Sequence, residues 1–296
     1  MNLKNKSILL MLFSSLTFSA MQIIVKLLPQ IPLMEKVFFR NFICLIIAYF
    51  IIKKNIDSPR GFFIKNGKTH MEHFWGFKEN RKYLFYRYLF GFTGLIFFFY
   101  ATTKMLAADA AILNKLSPVF VMILAHFLLK EEINKTKVLV LIISVLGALL
   151  VIKPQFNFSV IPALSGFISA ILSGAAYIFI RLIGDKESPY TTVFYFSLLS
   201  SLSCIPFFFF EFALPNFYEL LLLILLGLFA ALGQIALTFA YRGCPASEIS
   251  IYDYSNIIFS SLLGYFFLKE VPDWLSIIGG LLIISSSFYL FVKLKN

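Results

Sequence analysis

The stretch Ala107 to Glu132, AADAAILNKLSPVFVMILAHFLLKEE, returns 139 positions later as Ser247 to Glu270, SEISIYDYSNIIFSSLLGYFFLKE. At that offset Asp109 falls on Glu248, Asn114 on Asp253, Ser117 on Asn256 and Leu129-Lys130-Glu131 on Leu268-Lys269-Glu270. Each copy is mostly apolar and about 20 residues long, enough to cross a hydrocarbon core of about 30 Å. Polar groups at mid-depth are costly in lipid, so those of both copies are expected to face inward.

The rest of the chain fits a membrane setting. Over 296 residues, 59% are hydrophobic and 14% charged, with a mean hydropathy of +0.85, which excludes a water-soluble domain of ordinary composition. A net charge of +11 reads here as a topology signal rather than as nucleic-acid binding. The three cysteines, Cys44, Cys204 and Cys244, have no metal or redox spacing. The 37 phenylalanines read as composition bias, so aromatic stripes carry little weight.

Apolar runs and their breaks predict an all-α integral membrane protein with ten transmembrane helices at 7–28, 33–52, 84–103, 107–129, 136–152, 160–182, 189–210, 217–241, 246–268 and 273–292. Lys4 and Lys6 before an apolar run ending near Ala20 imitate a signal peptide. The run continues through Val25 to full spanning length, so a first span is expected instead. Ten spans leave both termini on one side. Lys and Arg at the termini and even-numbered connections number 18, against 4 in the odd connections, which predicts cytoplasmic termini in the inner membrane.

The fourth span matches the ninth, with the third and fifth following as eighth and tenth. Near an offset of 155, Gln22 and Lys26 fall on Tyr177 and Arg181. Two five-helix repeats, 1–156 and 157–296, are therefore expected. Because five is odd, the second copy is inverted, an arrangement associated with secondary transporters that rock around a midplane site. The polar segment 53–82 is expected to be a cytoplasmic loop whose basic residues lie against anionic headgroups.

With its duplicated helix ending in Leu-Lys-Glu, at Leu129 to Glu131 and Leu268 to Glu270, and a Pro118-bearing fourth span, the chain resembles the drug/metabolite transporter superfamily in its ten-helix EamA-type branch. The resemblance implies export or exchange of amino acids, nucleobases or other metabolites, with some members moving S-adenosylmethionine or vitamins such as riboflavin. Two features depart from that pattern. The 53–82 segment is longer than a short turn, and Ile257 stands where the first half has Pro118.

Candidate binding residues follow from depth. Lys115 and Asp253 flank the midplane, about 10 Å apart along the axis by helix rise, which is long for a direct pair. Asn114 with Ser117, and Asp253 with Asn256, share helix faces. The expectation is a cavity in which a small zwitterion places its anionic group toward Lys115 and its cationic group toward Asp253; the rival reading is a structural ion pair. Arg40 is a second candidate anion contact. Gln22 and Gln234 are mid-depth amides suited to interhelix hydrogen bonds. Tyr177 and Tyr252, with Tyr100 and Tyr254, are candidate pocket rings.

Asp253 is also the candidate proton-coupling group, since a carboxyl in a desolvated cavity holds its proton to higher pH. His126 sits near the cytoplasmic end of the fourth span and is read as solvated. His70-Met-Glu-His73 lacks the spacing of a metal helix, so no metal is expected. Asp109 and Glu248 suit helix N-termini. No nucleophile set, phosphate loop or cofactor fingerprint appears, so neither an enzyme nor ATP-driven transport by this chain is expected. The remaining alternative class is a non-transporting membrane scaffold built around the basic loop.

Overall fold

The computed structural model describes residues 3–56, 70–129, 135–152, 160–243 and 249–295. Among them the chain is helical throughout: α1 Leu3–Leu27, α2 Leu33–Ile56, a short α3 His70–Trp75, α4 Arg81–Lys104, α5 Ala107–Asn114, α6 Ser117–Leu129, α7 Lys135–Ile152, α8 Ile161–Ile183, α9 Pro189–Cys204, α10 Phe217–Gly243, α11 Ser255–Leu263 and α12 Trp274–Lys295. Six segments are long and apolar enough to cross a membrane: Asn5–Leu27, Met71–Lys104, Ala107–Leu128, Ile161–Ile183, Pro189–Phe209 and Phe217–Gly243. The other four expected positions are helical as well.

The distribution of side chains is inverted relative to a soluble bundle. Leu, Ile, Val and Phe of α7, α8, α10 and α12 point outward, among them Ile142, Leu164, Leu221 and Leu281, while Ser14, Ser19, Arg40, Asn41, Arg87, Ser169 and Gln234 are buried. Helices satisfy their own backbone groups, so an apolar exterior is stable in hydrocarbon and the polar groups must find partners or water inside.

The pairing of helices carries the repeat into three dimensions. The third span, α4, packs along the sixth, α8, and the matching eighth, α10, packs along the first, α1. The second and seventh, α2 and α9, lie together, as do the fifth and tenth, α7 and α12. Exchanging the helices that the sequence repeat relates maps this set of contacts onto itself. Small residues permit the closest approaches. A Cβ on Gly174 of α8 would stand 3.0 Å from the Ser117 carbonyl oxygen, and one on Gly147 of α7 would stand 2.7 Å from that of Gly279.

Two expectations need correcting. The fourth span is two helices, broken at Lys115 and Leu116, and the ninth begins as a tight 3-10 turn over Ser250–Tyr254 and ends as a π turn over Gly264–Leu268. Pro118 explains the first break, because it has no N–H to donate to the Asn114 carbonyl and suits only the first turn of a new helix. The ninth span breaks at the matching place without proline.

The 53–82 segment is also more than a free loop. α2 extends into it to Ile56, and α3 docks against α9: the ring of Phe74 lies 5.5 Å from that of Tyr49 and 5.1 Å from that of Phe194. Glu187 accepts from the Phe77 N–H at 2.8 Å and the Asn80 amide at 2.9 Å, while Thr191 donates to the His73 carbonyl at 2.7 Å. Of the eight basic residues proposed to meet headgroups, Lys53, Lys54, Lys78, Arg81 and Lys82 are exposed, while Arg60, Lys65 and Lys68, like Glu131 and Glu248, lie outside the described residues.

Candidate functional site

The breaks in the fourth and ninth spans set the geometry at the centre of the bundle. Lys115 follows the last turn of α5 and Asp253 sits in the 3-10 turn before α11. Neither obeys the straight-helix spacing behind the 10 Å separation expected from sequence. Lys115 Nζ lies 2.7 Å from Asp253 Oδ2, with the two side chains 6% and 1% exposed. Ser15 of α1 donates to the other carboxylate oxygen at 3.1 Å. The charges neutralise each other across the two copies of the repeat, and a charge-assisted bond in this setting is strong only because its remaining lone pairs are also satisfied.

Beside the pair lies a cavity of about 630 Å³, its open mouth included, walled by helices from both halves. Of the residues expected from sequence, Gln22, Arg40, Asn114, Lys115, Tyr177, Gln234 and Asn256 line it. Asp253 stands behind Lys115. Ser117 is buried against Gly174, and Tyr252 packs half-buried against the apolar cluster containing Met11 and Tyr241. Tyr254 belongs to the cluster around Leu113 and Leu116. Tyr100 does not line the cavity, and His126 is half-buried against Phe127.

The amides are held by serines and backbone. Asn114 donates to Ser169 Oγ at 2.9 Å, and Asn256 donates to Ser19 Oγ at 2.6 Å and to the Ser15 carbonyl at 2.9 Å. Gln234 accepts from Arg40 Nη2 at 3.2 Å, an interhelix bond, and Arg40 Nη1 donates to Asn41 Oδ1 at 2.7 Å. Gln22 is 1% exposed, and neither end of its amide is bonded among the described residues. Tyr177 stacks on Tyr241 at 5.2 Å.

Sequence reading missed Arg87 and Phe196. Arg87 is 3% exposed and its guanidinium carbon stands 4.4 Å from the centroid of the Phe196 ring; that of Arg40, also 3% exposed, stands 5.4 Å from the same ring. The two guanidiniums are therefore no more than about 10 Å apart, and at an effective dielectric constant near 20 they repel by about 2 kcal/mol or more. Cation–π contact with Phe196 offsets part of that. Neither meets a carboxylate among the described residues. The only sign of it in the sequence is a cation about a turn and a half into an otherwise apolar run that opens on Arg81 and Lys82.

At the end of the bundle where α1 stops, Lys26 pairs with Glu270 and also donates to the Met105 carbonyl at 2.8 Å, while Glu270 accepts from the Ala107 N–H at 2.8 Å. The second copy of the Leu-Lys-Glu ending thus ties α1 to the junction of α4 and α5. Lys269 takes a left-handed φ of 57° to turn Glu270 inward. Glu270→Ala is expected to cost about 2 kcal/mol, the scale of bonds to a charged group, read as the unfolding midpoint in detergent; an unchanged midpoint removes the tie.

Comparison with known proteins adds the last observation. A family model described as the EamA-like transporter family matches twice, over residues 5–153 and 160–292. The chain is 32% identical to the pseudopaline exporter CntI of Pseudomonas aeruginosa (strain UCBPP-PA14), over 96% of this chain and 95% of that protein. It is 27% identical to an S-adenosylmethionine uptake transporter of Rickettsia bellii, over 69% of this chain and 72% of that one. A crystal structure at 16% identity superimposes with a TM-score of 0.69 over 98% of each chain, a likeness of fold alone.

Proposed function

The chain belongs to the EamA-like transporter family, and from that premise we propose that it is a secondary exporter of a small organic metabolite carrying an acidic group, of amino-acid or related kind. The observation that carries this reading is the central cavity, shared by both halves and walled by the buried cations Arg40, Arg87 and Lys115. Buried cations inside a spanning bundle are retained where they face a water-filled path or a ligand. The expected zwitterion is thereby turned round: Lys115 is engaged by Asp253, so the anionic group goes to the arginines.

Movement is by alternating access, the two halves rocking about the cavity. Asp253 is the proposed coupling group. Its protonation would release Lys115 and loosen the contact between α5 and the turn before α11. The termini are assigned to the cytoplasmic side of the inner membrane from the 18-to-4 division of basic residues. Export is favoured over uptake by likeness to the exporter, the more similar and more fully covered of the two relatives described.

The test compares metabolite pools inside and outside cells that express the chain, cells that do not, and cells expressing Ser173→Trp, which fills the cavity from α8. At least one small acidic solute is expected to fall inside and rise outside by about threefold or more, the change being abolished by the plug. Pools indifferent to both expression and plug would remove the transporter reading. In proteoliposomes, flux of that solute is expected to respond to an imposed pH gradient, and Asp253→Asn to abolish the response.

A further inference from the structure

The two arginines are not equivalent to a single positive wall. Arg40 is partly satisfied by Asn41 and Gln234, but its Nε has no partner. Arg87 makes no hydrogen bond to any described residue, and its guanidinium instead lies over the Phe196 ring. Both heads line the same cavity. The cavity wall offers them no acid among its lining residues, and the Asp253 carboxylate behind it already binds Lys115 and Ser15. The cavity therefore carries two uncompensated positive charges.

The backbone is shaped to keep Arg87 there. A Cβ on Gly91, one turn further along α4, would stand 1.9 Å from Arg87 Nη1 and 3.1 Å from Phe196. Only a glycine lets the guanidinium lie along its own helix and over the ring. Arginine presents a rigid fork of donors that fits carboxylate and phosphate oxygens in pairs; the fork of Arg40 meets only neutral amide oxygens, and that of Arg87 meets no acceptor among the described residues.

We propose that Arg40 and Arg87 form a two-pronged clamp for a solute carrying two negative charges, as a pair of carboxylates or as a phosphate monoester, with the Phe196 ring between the prongs. This rests on the transporter reading and sharpens it, since a solute with one carboxylate leaves one guanidinium uncompensated. The opposite electrical half of the ligand is not required, because no free acid faces the cavity among its lining residues.

The test is a thermal-shift titration of the purified full-length protein in detergent, with glutarate, glycerol 3-phosphate and butyrate as probes at matched ionic strength. Bound ligand raises the midpoint in proportion to its occupancy. One of the two dianions is expected to bind at least about tenfold more tightly than butyrate, and which one does so identifies the carboxylate or phosphate form. Arg40→Gln and Arg87→Gln are each expected to reduce that preference to about that of a single charge. Gly91→Ala keeps both cations, moves only the flexible end of Arg87, and is expected to weaken the dianion by about tenfold with the ligand-free midpoint little changed.

Equal binding of all three probes, no stabilisation by either dianion at about 10 mM, or a preference that survives Gly91→Ala and both glutamine variants would overturn the clamp. The two readings fail separately. If the cellular pools change only for singly charged or cationic solutes, the clamp falls and transport stands; if dianions bind but no pool changes, transport falls and the clamp stands.

Discussion

Asp253→Ala is expected to lower the stability of the protein by about 3–5 kcal/mol, the cost of stranding one member of a buried ion pair. Lys115, 5% exposed in the intact protein, would lose its carboxylate partner, and Ser15 would keep only the long 3.5 Å bond to the residue 253 backbone carbonyl. The double variant Lys115→Met/Asp253→Leu removes the charge and the need for it together, and is expected to recover most of the loss while remaining inactive in transport. Equilibrium unfolding in mixed micelles, followed by circular dichroism, measures both. A single-variant loss below about 1 kcal/mol would mean that water or a neighbouring group already solvates Lys115, and the pair would not be what joins the two copies of the repeat.

Gly174→Leu is expected to be the next most damaging change. A Cβ there would meet Phe120 Cβ at 2.9 Å, the Ser117 carbonyl oxygen at 3.0 Å and the Val121 backbone nitrogen at 3.2 Å. Two of those three atoms are backbone, so relief requires α8 to move from α6. Overpacking of this kind costs about 1–3 kcal/mol, and leucine belongs at the upper end. Ser173 and Tyr177 line the cavity from the same helix, so loss of solute-induced stabilisation should accompany the fall in midpoint. Gly174→Ala should show a smaller form of both effects; a fully stable, ligand-responsive Gly174→Leu would show that the two helices can separate freely.

Much of the fold was legible because period and length are strong signals in a membrane: apolar runs of spanning length and a repeat at a fixed offset point the same way. The breaks were harder. Pro118 marks one, but Ile257 gives no local sign of the other, and the irregular turn at Asp253 depends on packing against Ser15 and Ser19 of α1. That is why the separation of Lys115 from Asp253 was overestimated: a constant rise per residue fails where the helix stops.

The site was half legible for a related reason. Arg40, Gln22 and Asn114 were found by asking which polar residues lie at depth, but Arg87 stands among Tyr and Phe near the start of its helix, where a snorkelling cation is ordinary. What separates it from that ordinary case is Gly91 and the Phe196 ring, and their proximity is tertiary information. The docking of α3 through Glu187 and Phe74 is tertiary in the same sense.

The packing of α7 on α12 bears on how such a molecule could be watched at work. Each helix comes from a different half, and the Gly147 backbone lies against that of Gly279 with no side chain between them. A contact so close has no play, so sliding there would collide atoms instead of rearranging rotamers. If the halves rock as proposed, this pair would be the bearing on which they turn: spin labels placed one on each helix should keep a constant separation through the cycle, and distances measured from them to the rest of the bundle would report the full swing.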